Sequence, residues 1–259
     1  MNTITALSLI LFLLMIAIGG KKGVKSFIAL FLNFFVLIVA VIIMNDVNVD
    51  PIILTLIACA FITCISLFFI NEVNSKTKTA FVSTIMTVIL MIMLIRLITE
   101  YGMIHGFGEE EVEEQTIFSY YVGVNFVNIA ASVIIMSTVG AIIDEAIAIS
   151  SPMFEIHRHH PDIKRRELFL IGMRIGKDLL ASNANTLFFA FFGGYLALLI
   201  RFFDLGYTIG EIVNSKVFSR EMLTIFAGGI GVALVIPITA SVAAYVLTKQ
   251  TKSIHDHEE

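Results

Sequence analysis

Two neighbouring carboxylates, Asp144 and Glu145, interrupt the apolar stretch Gly140-Ala-Ile-Ile-Asp144-Glu145-Ala-Ile-Ala-Ile-Ser150-Ser151. A charge held in hydrocarbon costs several kcal/mol, so such residues tend to be used. Further along, Asp178-Leu-Leu-Ala-Ser182-Asn183-Ala-Asn185-Thr186 opens a second apolar stretch with its own polar set. An acid facing amides and hydroxyls away from water can hold or pass a proton or a cation.

Spacing decides which residues can meet. Asn125, Asn128, Ser132, Met136, Gly140, Asp144, Ala148 and Ser151 follow at steps of three or four, which places them on one helical face. Asp178, Ser182, Asn185, Phe189 and Gly193 form a similar stripe, with Asn183 and Thr186 on the adjoining face. Asp144 lies about 10 Å along its helix from Ser151, and Asn183 and Asn185 about 9–12 Å from Lys177. The two sets can therefore meet in one polar pocket. Its members would be Asp144, Asn125, Asn128, Ser132, Asp178, Ser182, Asn183, Asn185 and Thr186, with Asp144 linked to the proton or ion. Glu145, about 100° round the helix, and Ser151 are secondary. The alternative is that either acid reaches the interface and ties the helix end to Arg158 or Arg174. Polar residues between spans then act as glue, at under about 2 kcal/mol per bond.

The elements that position these residues are membrane spans. The chain is 58% hydrophobic and 15% charged, with a mean hydropathy of +0.92. Continuous apolar runs predict an all-α polytopic bundle of about seven spans, near 3–20, 27–44, 52–70, 79–98, 117–150, 178–203 and 222–248. Strand spans are excluded by the lack of dyad alternation. Of 17 Lys and Arg, all but Arg96, Arg201, Lys216 and Arg220 fall on one side of that arrangement. The positive-inside bias then puts the N-terminus outside and the C-terminus in the cytoplasm.

The predicted organisation is a four-span N-terminal bundle (1–98), an acidic outer loop (99–116), a motif-bearing three-span core (117–248) and a cytoplasmic tail (249–259). Inside the core, linker 151–177 alternates apolar residues with Lys164, Arg165, Arg166, Arg174 and Lys177. Ser151-Pro152 opens a first helical piece that His160-Pro161-Asp162 ends, and the alternation from Ile163 to Leu180 predicts an amphipathic helix along the inner membrane face. The same basic cluster suits anionic lipid headgroups.

Other signals carry less. The first span has no basic segment before it and reads as a retained anchor. Cys59 and Cys64 read as free apolar residues. His157-Arg-His159-His160 and His255-Asp-His257 read as solvated histidines, so no metal or cofactor is expected. No Gly-x-Ser-x-Gly, His-Glu-x-x-His or Walker sequence occurs, and no enzymatic activity is expected.

Several motifs resemble the YibE/F family of bacterial multi-pass membrane proteins: Val139-Gly140-Ala-Ile-Ile-Asp144-x-Ala146, then Gly172-Met-x-Ile175-Gly176-Lys177-Asp178, and Asn185-Thr186-Leu187. The likeness covers about 120–248 and suits the shorter, YibF-like member. It implies a bacterial plasma-membrane protein with a YibE-like companion and no established substrate, while seven spans with few residues outside them separately suggest a homo-oligomer or a companion subunit. Here Asp144 is followed by Glu145 where the family pattern commonly has Val. A more distant likeness, to the transmembrane core of SecD/SecF and RND-superfamily permeases, implies a proton-linked Asp facing polar residues of the next span. The function expected is therefore a transporter or transporter subunit, and the alternative is an accessory or scaffold protein of a membrane complex.

Overall fold

The computed structural model describes residues 2–101 and 125–255, so most of the acidic loop, the start of the fifth expected span and the end of the tail lie outside the described residues. Every regular element among those described is helical: α1 (Thr3–Met44), α2 (Pro51–Cys64, running on through a π turn at Ile65–Phe69), α3 (Ser75–Tyr101), α4 (Phe126–His159), α5 (Arg165–Gly194), α6 (Leu196–Asp204), α7 (Ile209–Asn214) and α8 (Lys216–His255). Five helices are long and apolar enough to cross a membrane, or six if α5 and α6, bent by 50°, form one span.

The first element folds back on itself. Gly20 has φ 54°, a left-handed conformation that side chains resist. The Phe12 and Phe27 rings lie 4.7 Å apart, whereas fifteen residues of straight helix would separate them by about 22 Å. Gly23 allows the two arms to touch, since a Cβ there would collide with the Met15 carbonyl. The second arm meets the rest of the molecule through Asn33, whose Nδ2 donates to Ser66 Oγ at 3.1 Å within the π turn.

Local chemistry sets the next ends. Asp50 Oδ1 accepts from Ile52 N at 2.8 Å, with Pro51 at the first helical position of α2. Before α3, Asn74 Oδ1 accepts from Thr77 N while Thr77 Oγ1 accepts from Asn74 N, at 2.9 and 3.0 Å. On α3 the buried hydroxyls of Thr79, Ser83 and Thr87 donate to the carbonyl four residues back. These three hydroxyls are thereby satisfied inside the bundle.

The expected amphipathic surface helix is not formed. Residues 151–159 continue α4 straight through Pro152, and 165–177 are the first turns of α5. The reason is burial: Met153 and Leu168 are fully enclosed with Ile236, Ala240, Ala243, Ala244 and Leu247 of α8. Packing against α8 keeps this segment in line with the rest of α5. Gly172 and Gly176 bring the two helices close. A Cβ on Gly172 would stand 2.8 Å from the Ala240 methyl, and one on Gly176 would strike Ile236. This small-xxx-small spacing drives helix association where lipid removes the hydrophobic incentive.

Helices α3, α4 and α8 form the centre, α5 packs on α8 and α4, and α1 lies outermost against α2. The larger apolar cluster joins α2, α3, α4 and α8 through residues such as Cys59, Met91, Ile134, Ile142 and Val235. Cys59 and Cys64 are both free.

Candidate functional site

Three helices converge on one polar contact. Toward one end, Gly228 of α8 meets Leu187 of α5 and Thr138 of α4, at 3.3 and 3.5 Å from the place of a Cβ. Toward the other, Gly172 of α5 meets Met153 of α4 and Ala240 of α8. Glu145 lies between these levels, seven residues from Thr138 and eight from Met153, or about 10 and 12 Å along α4.

Glu145 is fully buried. Its Oε2 accepts a hydrogen bond from Asn183 Nδ2 of α5. Its Oε1 is enclosed and has no partner among the described residues. An enclosed carboxyl oxygen without a donor is costly, and such a place is suited to a proton or a small cation. No basic side chain makes an ion pair with Glu145 among the described residues.

The remaining predicted residues are dispersed. Asp144 is exposed and shares an outward stripe with Val133, Ser137 and Gly140, with nothing within 4 Å of where a Gly140 Cβ would stand. Asn125 caps α4, accepting from Val127 N and Asn128 N at 3.1 and 3.2 Å. Asn125 and Asn128 line a hollow of about 270 Å³ with Asp46, Asn48 and Asp50. That hollow begins about 25 Å along α4 from Glu145. Ser132 is buried and its Oγ is without a partner, about 20 Å from Glu145 along the helix. Asp178, Ser182, Asn185 and Thr186 are exposed, and the Thr186 hydroxyl donates to the Ser182 carbonyl at 2.9 Å. Ser151 is half-buried and accepts from Lys76 Nζ at 3.4 Å. The structure thus brings Asn183 together with Glu145, and leaves Asp144 on the outer surface.

A signal for this was present. Thr138, Ile142, Glu145 and Ile149 also follow at steps of four, three and four, along the bulky apolar side of α4. All four are buried. On the small-residue side, Gly140 and Asp144 are left uncovered, whereas Ser132 is buried.

A family model for YibE/F-like proteins matches residues 7–249. The chain belongs to the YibE/F family. The match takes in both arms of α1 as well as the motif-bearing helices, so the likeness reaches well beyond 120–248. Comparison with curated proteins and with solved structures gave no match, and the more distant likeness to SecD/SecF finds no support in them. As a YibE/F family member with several spanning helices, the molecule is a multi-pass membrane protein whose central polar contact is Glu145–Asn183.

Proposed function

We propose that this YibE/F family member is a proton- or cation-linked transporter of the bacterial plasma membrane, or the membrane subunit of one, and that Glu145 takes the proton or cation. One observation carries the reading: an enclosed carboxyl in the middle of a three-helix seam, held on one oxygen by Asn183 and open on the other. A charge so placed is expensive unless it is exchanged as part of the work. The seven-pass, N-out and C-in arrangement is supported by the fold-back of α1, which divides that element into two arms, and by the basic residues gathered at one end. The uncovered stripe of Ser137, Gly140 and Asp144 suits the face of a YibE-like companion or a second copy, since a carboxylate on an apolar surface is costly against lipid.

The test is proton flux in liposomes holding the purified protein. Wild type and Asp144→Asn are expected to carry an imposed pH gradient inward, and Glu145→Gln to lose that flux. Unchanged flux in Glu145→Gln and Glu145→Ala would sink the assignment. The accessory-protein reading draws support from the tight glycine packing of α5 on α8. It would be favoured by wild-type liposomes as tight to protons as empty ones.

A further inference from the structure

The α5–α8 seam has a second side, to which α4 contributes no residue, and it carries two hollows unconnected with Glu145. At one end of the bundle Arg165, Arg166 and Phe169 of α5 and Ser241 and Ala244 of α8 line a groove of about 410 Å³. The Arg165 guanidinium stands 4.9 Å from the Tyr245 ring centre, and Lys249 Nζ lies 6.0 Å from the same ring. Neither arginine makes an ion pair among the described residues. Lys164, Arg165 and Arg166 also open α5, where the helix dipole is positive and further cations are disfavoured, with Glu167 the acid of that first turn. An anion in the groove would offset this repulsion, and paired guanidinium groups match phosphate oxygens well.

The second hollow lies deeper on the same seam. Leu180, Ala184 and Phe188 of α5 and Phe226, Ile230 and Ala233 of α8 line a largely apolar space of about 700 Å³. From Ser241, Ala233 and Ile230 are about 12 and 17 Å along α8. One leaflet of hydrocarbon is roughly 15 Å thick, so a lipid tail has the reach to join the two hollows.

We propose that this seam holds one anionic phospholipid, its phosphate on Arg165 and Arg166 and one acyl chain in the hollow beside Phe226 and Ile230. The occupant is a lipid rather than a free anion because the basic groove and the apolar hollow lie on one helix pair at a separation that a phosphate and its acyl chain can span. The assignment does not depend on transport or on Glu145.

The experiment measures binding of fluorescent phosphatidylglycerol to the full-length protein in phosphatidylcholine nanodiscs. Losing two basic groups at the membrane surface should weaken binding about thirtyfold in the Arg165→Gln/Arg166→Gln variant. Ala233→Phe, which fills the apolar hollow without touching charge, should also weaken it. Lys21→Gln/Lys22→Gln, which removes two exposed charges elsewhere, should leave it unchanged. An equal loss with the Lys21/Lys22 variant would reduce the site to general surface charge and overturn the proposal. So would full displacement of the lipid by millimolar inorganic phosphate, or undiminished binding in both seam variants.

Discussion

Glu145 of α4 and Asn183 of α5 are joined side chain to side chain, 38 residues apart in sequence, in the seam where both helices meet α8. The amide donates to one carboxyl oxygen and leaves the other enclosed. Removing Asn183 would therefore orphan the whole carboxyl. Interhelical hydrogen bonds in membranes are worth about 0.6–2 kcal/mol. A double-mutant cycle of Glu145→Ala and Asn183→Ala, read by thermal unfolding in detergent, is expected to show coupling in that range. Additive effects would mean that the two side chains do not hold each other.

Glycine positions give a contrast in stability. Gly176→Leu drives a side chain into Ile236 and is expected to cost about 1–3 kcal/mol, as overpacking does. Gly140→Leu meets nothing within 4 Å in the single chain and should leave the unfolding temperature of the isolated protein within error. If instead the two variants unfold at the same temperature, the close approach of α5 to α8 is wrong.

The fold-back of α1 can be tested by chemistry. With Cys59 and Cys64 replaced by Ala, cysteines at positions 12 and 27 should be joined within one chain by a short bifunctional thiol reagent, detected by mass spectrometry of the proteolysed protein. The 4.7 Å ring contact predicts efficient linkage. A straight helix, with the two about 22 Å apart, predicts none.

A pH effect is expected in α7. Glu211 accepts from the Thr208 backbone N–H at 2.6 Å and from the Thr208 hydroxyl at 2.8 Å. These bonds hold its carboxyl below the ordinary glutamate value of 4.5. A lowered carboxyl stabilises above the unfolded value and loses that contribution as pH falls through the folded one. The capping box should therefore be intact at neutral pH and down to 4.5, and open as pH falls further, through the lowered folded value. Protection of the Thr208 amide from hydrogen exchange, relative to Glu211→Gln, should vanish on acidification. Protection that persists well below that range would refute the cap's dependence on charge.

Much of the fold could be read from the chain because hydrocarbon imposes its own rule: long apolar runs become helices, since no other local structure satisfies the backbone there. That Asn183 reaches the turn of α4 bearing the two acids is consistent with helical rise in the same way. What periodicity could not settle was which side of α4 turns inward. Ser132, Gly140 and Asp144 read as one buried polar face because in water small polar stripes pack, but Gly140 and Asp144 are uncovered, while the bulky stripe of Thr138, Ile142 and Ile149 fills the core and carries Glu145 with it. Segment 163–180 departs from its pattern for a related reason. Its charge alternation is that of an interfacial helix, while its glycines at 172 and 176, which fix it against α8, contribute nothing to an amphipathic pattern.

Those two glycines have a mechanical consequence. Leu168, Gly172, Gly176 and Leu180 succeed one another at steps of four along α5, so a leucine bounds the glycine pair at each end. Sliding α5 by one turn in either direction would thrust a leucine into a slot shaped for glycine, against Ala240 or Ile236. The seam acts as a detent, and α5 and α8 must travel as a single lever. Asn183 can then part from Glu145 when that lever pivots on α4, and not by α5 creeping along its neighbour.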